Sequence, residues 1–330
     1  MSADRLQWPL TRRQVLGAGV AAGAGFVLGC GSAGKDATAW TFVDDRKQTV
    51  RLPQRPTRIA AYSTAAAALH QWGVTPVAVF GDDPIEDPAL AGFPWDKSNL
   101  IGSVYGEIDT AKLLALKVEL IVSRWFPPPA DAPLFGFKDL AQQKRIASRV
   151  PVVGFDGHVI ATKQIERFGD LARALGSDTM AGAVGRARAA FPTAAANLSA
   201  IARRKANLRI IAASGDQSTM YVAKLADFGD LSLYRQRGVP LVSAQTSDAY
   251  WDRFSWERAA KYPADGILYD TRRLFLPLRE AKAIPAFAAL PAVRANQIAG
   301  WQVDPPPSYQ AYTDAMNELA TAIAGWRTVI

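Results

Sequence analysis

Between residues 178 and 204, apolar side chains recur at Met180, Val184, Ala187, Phe191, Ala194, Leu198 and Ile201. Steps of four and three residues put them on one stripe of an α-helix. Ser177 or Asp178 is placed to cap its start. At about 1.5 Å per residue the helix would run roughly 40 Å. Pro192 interrupts it, because proline lacks an amide hydrogen and crowds the preceding turn. The pattern admits one kinked helix or two helices broken at Pro192.

Shorter apolar runs alternate with helical patterns on both sides of this stretch. Before it, residues 58–62 and 77–80 read as strands around a helix at 64–72 that Gly73 ends. A short helix at 109–117, strands at 120–122 and 150–153, and a helix at 162–175 follow. After it, residues 208–212 and 239–242 read as strands, 255–261 as a short helix, and 266–269 and 298–301 as strands. A last helix covers 308–326. Strands separated by helices predict parallel βαβ units.

The two flanks repeat one another. Residues 109–122 align without gaps on residues 255–268, with a capping residue first and an acid, Glu119 or Asp265, just before the strand. The predicted fold class is therefore α/β: two Rossmann-like lobes with parallel-type sheets, joined by one long backbone helix, with a ligand cleft between them. The expected divisions are an N-terminal lobe at 41–177, the backbone helix at 178–205 and a C-terminal lobe at 206–330. In open α/β sheets ligands sit beyond the carboxyl ends of the strands, so the loops there are the candidate site.

Composition changes this picture little. The chain has 330 residues, 49% hydrophobic and 21% charged, as in ordinary globular proteins. A net charge of +8 favours an anionic ligand or surface, but no Lys/Arg run resembles a nucleic-acid arm, so no nucleic-acid partner is expected. Two histidines and one cysteine argue against a structural zinc site and a disulfide framework.

The first 29 residues read as an address. Thr11-Arg12-Arg13-Gln14-Val15-Leu16 resembles a twin-arginine export signal. A Gly/Ala-rich run follows, too short to span a membrane. It ends Val27-Leu28-Gly29-Cys30, which resembles a lipoprotein cleavage box. That resemblance implies a lipid on Cys30, a tether at 30–40, and a protein anchored outside the cytoplasmic membrane.

The mature chain resembles the helical-backbone, or class III, substrate-binding lipoproteins of ABC importers, in the iron-siderophore and ferric-dicitrate branch. The resemblance rests on Thr41-Phe42-Val43-Asp44-Asp45 through Pro56-Thr57-Arg58-Ile59-Ala60, and on Leu113-Leu114-Ala115-Leu116-Lys117-Val118-Glu119-Leu120-Ile121. Phe254-Ser255-Trp256-Glu257-Arg258 and Leu290-Pro291-Ala292-Val293 with Ile298 complete it. It implies a monomeric binding protein, without catalytic residues or intrinsic cofactor, that captures a ferric siderophore and docks on an ABC permease. Glu257 falls on the second-lobe docking position. The first-lobe position is Ala111, so Asp109 or Glu107 would have to substitute.

The loops beyond the strands supply the ligand candidates: Tyr62, Tyr105, Arg124 and Trp125 from the first lobe, and Tyr221, Trp251, Arg253, Tyr269, Arg272, Arg273 and Trp301 from the second. Guanidinium groups pair with oxygen acceptors and rings pack an apolar body, which suits a large chelate anion. Haem or cobalamin is the alternative cargo. Haem iron would need a protein ligand, for which Tyr105 or His158 is the candidate. A surface enzyme working in the cleft is the alternative from another class. No GxSxG, HExxH or GxxxxGK[ST] motif is present.

Overall fold

A computed structural model describes residues 39–81, 85, 90, 92–94, 98–126 and 132–330. The export signal, Cys30 and the Pro127-Pro128-Pro129 run lie outside the described residues.

The first lobe opens with an antiparallel hairpin of β1 (Trp40–Val43) and β2 (Thr49–Leu52). Its sheet holds β3 (Ile59–Tyr62), β4 (Ala78–Phe80), β5 (Leu100–Gly102), β6 (Leu120–Trp125) and β7 (Val152–Asp156). All pair in parallel, in the order β5-β4-β3-β6-β7. The crossover helices are α1 (Ser63–Gln71), α2 (Thr110–Ala115) and α3 (Leu140–Ala147); α4 (Ala161–Ala174) follows β7. Gly73, at φ 83, ends the first of these turns in a conformation that favours glycine.

The spine is α5 (Gly182–Arg204), 23 residues long and continuous through Pro192. It starts four residues later than the sequence pattern implies. Asp178 accepts from the Met180 and Ala181 amides and so caps the turn leading in, while the Ser177 hydroxyl donates to the Trp72 carbonyl. The helix survives its proline because Phe191, Ala194, Ala195 and Leu198 on either side are buried in the core. Tertiary packing outweighs one missing backbone bond, and Pro192 itself faces solvent.

The second lobe carries β8 (Ile210–Gly215), β9 (Thr219–Ala223), α6 (Gly229–Gln236), β10 (Trp251–Ser255), β11 (Gly266–Asp270) and β12 (Ile298–Trp301). Three one-turn helices, α7 (Leu278–Ala281), α8 (Pro285–Ala288) and α9 (Pro291–Arg294), connect the last two strands. The sheet order is β10-β9-β8-β11-β12. This sheet is mixed, which corrects the expectation of parallel pairing throughout: β9 is antiparallel to both of its neighbours. The Asp216 carboxylate accepts from the Ser218 and Thr219 amides and folds a turn too tight for a parallel crossover. Residues 239–242 form no strand; Leu241 makes one isolated bridge to Ile210. Residues Trp256–Lys261 form a 3-10 helix rather than an α-helix.

The sequence repeat has a structural counterpart. Strand β6 lies between β3 and β7 as β11 lies between β8 and β12. The paired acids do equivalent work. Glu119 accepts from the amides of Thr57 and Arg58, at 2.7 and 3.0 Å, just before β3. Asp265 accepts from the Arg209 amide at 2.8 Å, just before β8, and from the amides of Val329 and Ile330. Each acid ties the start of the central strand to its neighbour.

The chain leaves β12, crosses back to the first lobe and enters α10 (Tyr309–Ala324). On the way Trp72 Nε1 donates to the Pro307 carbonyl and Ser308 meets Gln71. Helix α10 runs parallel to α5: Tyr309 rests on Phe191 with centroids 5.4 Å apart, and Lys205 Nζ donates to the Trp326 carbonyl.

Candidate ligand cleft

Each lobe gathers aromatic rings, those of the first lobe at the carboxyl ends of its strands. In the first lobe Tyr62 ends β3 and meets Phe135 edge-on at 5.7 Å. Phe126 lies 4.8 Å from Phe135, and the half-exposed Tyr105 lies 6.4 Å from it. In the second lobe Tyr221, Trp251 and Phe275 form a triangle with centroid distances of 5.9 to 6.1 Å. Phe228 and Trp301 pack behind Trp251.

Charged groups lie between these two sets. Arg124, near the end of β6, is only 2% exposed. Its terminal nitrogen donates to the Gln164 side chain, its guanidinium covers the Phe126 ring at 5.0 Å, and its Nε has no hydrogen-bond partner among the described residues. Gln164 in turn donates to the Gly157 and Val159 carbonyls, fixing its amide orientation. Gly229 of the second lobe abuts Gln164, so closely that a Cβ there would collide with it. The arginine is thus positioned by the very residue on which the lobes meet.

The lobes also meet at His158, whose Nε2 is 3.2 Å from the Asp227 carboxylate and whose ring lies 6.0 Å from Tyr250. Asp227 also accepts from the Tyr250 amide. Tyr250, at φ 66, and Asp304, at φ 49, hold left-handed backbone that side chains seldom adopt. Asp304 sits in the segment crossing between lobes. Burial pushes its carboxyl up, and the charges of Arg124, Arg272 and His158 oppose the shift. Behind it, the fully buried Asp230 accepts from Trp301 Nε1 at 2.6 Å and from the Leu231 amide. Burial, with the Asp304 charge adding, pushes the Asp230 carboxyl up to about 7.

The remaining candidates divide. Arg253 faces solvent over the Tyr221 ring at 5.8 Å. The Tyr221 hydroxyl donates to Asp216 and, with the turn amides, holds that carboxylate down to about 2. Arg272 is held by Asp270 through its Nε and terminal nitrogen, so its charge is already balanced; the exposed Arg273 adjoins it. Two of the candidates lie in the lobe cores. Tyr269 is 1% exposed, with its hydroxyl on the Leu276 carbonyl, because strand alternation turns it into the second-lobe core. Trp125, one residue past Arg124, turns by the same alternation into the first-lobe core beside Phe80 and Leu134. Trp301 is buried as well and supports Trp251 from behind.

Glu257 stands exposed on the 3-10 turn, and the Ser255 hydroxyl holds its carboxyl low. Asp109 caps α2 by accepting from the Lys112 amide, and exposed Glu107 lines an open hollow beside it. Burial raises the Tyr105 hydroxyl, and the Gly136 backbone opposes the shift. His158 is engaged with Asp227. Sequence reasoning missed Gln164, Phe135, Phe275, Asp227 and Asp304. Their contacts are long-range, and only the clustering of Phe and Pro after β6 hinted at the first aromatic wall.

The chain is similar to DesE, a ferric-siderophore receptor protein from Streptomyces coelicolor, at 30% identity. The match covers 88% of this chain and 100% of that one, with a TM-score of 0.81. The chain belongs to the siderophore-binding class III substrate-binding proteins. Within that family, FeuA of Bacillus subtilis, a triscatecholate siderophore binding protein, is 15% identical, with a TM-score of 0.64 over 86% of this chain and 96% of that one. FhuD of S. pseudintermedius is 18% identical, with a TM-score of 0.61 over 88% and 100%. At that identity these two show the shared fold. No family profile and no curated sequence matches the chain. Its relatives are receptors and binding proteins, not enzymes, and no helix among the described residues is long and apolar enough to cross a membrane.

Proposed function

We propose that the protein captures a ferric siderophore between its lobes and delivers it to an ABC permease, held outside the cytoplasmic membrane by a lipid on Cys30. The observation that carries this reading is the full-length similarity to a ferric-siderophore receptor. Two aromatic walls flanking a guanidinium that pairs with no carboxylate among the described residues are consistent with it. Ring faces pack the organic shell of a chelate, and the Arg124 guanidinium donates to one of its oxygens. Because Arg272 is already balanced by Asp270, ring contact contributes more to the grip than bare charge. Glu257 is the second-lobe contact for a permease. The anchor rests on the lipobox-like residues ending at Cys30, and the mass of the membrane-extracted protein reads it directly.

The test is a tryptophan-quenching titration with ferric hydroxamate, ferric catecholate and mixed phenolate chelates, alongside haem and cobalamin. One ferric siderophore should bind with 1:1 stoichiometry and be recovered unaltered. Saturable binding of haem or cobalamin alone, or conversion of the chelate to product, would contradict the reading.

A further inference from the structure

The longest acid-free stretch of the sequence runs through the spine. Between Asp178 and Asp216 the sequence carries Arg186, Arg188, Arg203, Arg204, Lys205 and Arg209, and no acid. Lys205 and Arg209 give their side chains to backbone carbonyls of Trp326 and Pro263. The other four have no carboxylate partner among the described residues; Arg188 instead rests on the Met180 sulfur at 3.2 Å and near the Tyr309 ring. Elsewhere some basic groups are paired, Arg46 with Asp44, Arg167 with Asp45, and Lys261 with Asp252, and others, Arg253 among them, face solvent. Arg186 and Arg204 are five helical turns apart, so they share one face of α5 about 27 Å apart. Between them the other exposed side chains, apart from Arg188 and Arg203, are Ala189, Ala190, Pro192, Thr193, Ala196 and Asn197, none of which projects far. Met180, 67% exposed, marks the amino end of this strip. Among the described residues, Asp178 is engaged by its turn amides and Asp314 of α10 by Gln310, and Glu318 lies beside Tyr234 and Trp301.

The tether joins the fold at the same end. Trp40 Nε1 donates to the carbonyl of Ala174, at the end of α4, and Arg55 lies against Gly176 in the turn that leads to α5. Residues 30–40 span at most about 35 Å when extended. A lipid on Cys30 would therefore keep the arginine face within reach of headgroups.

We infer that the solvent face of α5 docks on an anionic phospholipid surface, with Arg186 at one end, Arg203 and Arg204 at the other, and Arg188 on its flank beside Tyr309. This rests on the lipid-anchor reading for its setting, but the contact itself needs no lipid on the protein. A flat basic face matches a flat anionic one, and surface potentials act over about 10 Å at moderate salt.

The test uses the full chain bearing Cys30→Ser, which cannot be lipidated, so its outcome is separate from that of the anchor. It is sedimented with vesicles of phosphatidylcholine containing one-third phosphatidylglycerol. Binding is expected to these vesicles and not to pure phosphatidylcholine, and to fall at least tenfold from 50 to 300 mM salt. Reversal of all four arginines to Glu should lower it at least tenfold, whereas replacement by Lys should retain it; siderophore binding by both variants reports their folding. Equal binding by the parent and the Glu variant, binding to neutral vesicles, or no binding by the parent would overturn the proposal. Concentration-dependent self-association lost in the Glu variant, without vesicle binding, would assign the face to a second copy instead and also overturn it.

Discussion

Two buried side chains set the chemistry of the lobe junction. Arg124 is placed by Gln164 and stacked on Phe126, with one nitrogen unpartnered among the described residues. Methionine matches its length without its charge, and replacing a buried charge by an apolar group need not destabilise the fold. Arg124→Met is therefore expected to weaken ferric-siderophore binding at least tenfold by tryptophan quenching while the unfolding midpoint stays close to that of the parent. Affinity that does not change would remove the arginine from the site. Asp230 has its folded-state value raised to about 7 by burial and by Asp304. The folded protein then holds a proton that the unfolded chain releases above the ordinary carboxylate range. Stability contributed at low pH is lost as the pH rises toward 7. Urea midpoints should fall between pH 4.5 and 7.5 in the parent and stay flatter in Asp230→Asn, where the carbonyl still accepts from Trp301. An identical slope in both proteins would show that Asp230 does not set it.

The clearest lesson about elements comes from the repeated acid. Periodicity and a gapless alignment placed Glu119 and Asp265 before equivalent strands, and both clamp the start of the neighbouring strand. Their surroundings differ. Asp265 is fully buried and satisfies three backbone amides; Glu119 is partly exposed at its clamp. Asp265→Ala should cost about 3 kcal/mol, since it strands buried donors, and Glu119→Ala under about 1 kcal/mol, since water replaces it. Equal losses in denaturant titrations would refute the distinction. The parallel strands and the spine were legible because burial on one face leaves a period in the sequence. The β9–β10 edge was not, because its mixed pattern and tight Asp216 turn carry only local signals. The site was legible as far as strand ends. Alternation then decided which neighbours face inward, turning Tyr269 and Trp125 into the cores, and Gln164 could not be found because its partners are distant in sequence.

For the whole molecule, the single long helix and the parallel α10 beside it join two lobes that His158 and Asp227 also bridge directly. Such a frame favours small adjustments of the cleft over wide closure. Glu257, exposed on the second lobe, is expected to act after capture. Glu257→Ala should leave siderophore affinity unchanged and lower cellular uptake severalfold; full uptake would remove it from permease docking. The central claim is that both lobes grip one ferric siderophore, and hydrogen exchange of the intact protein with and without the bound ferric complex tests it most directly. The account predicts added protection in both walls, around Arg124 and Phe135 and around Tyr250, Trp251 and Phe275. Protection confined to one lobe, or lying away from both walls, would contradict it.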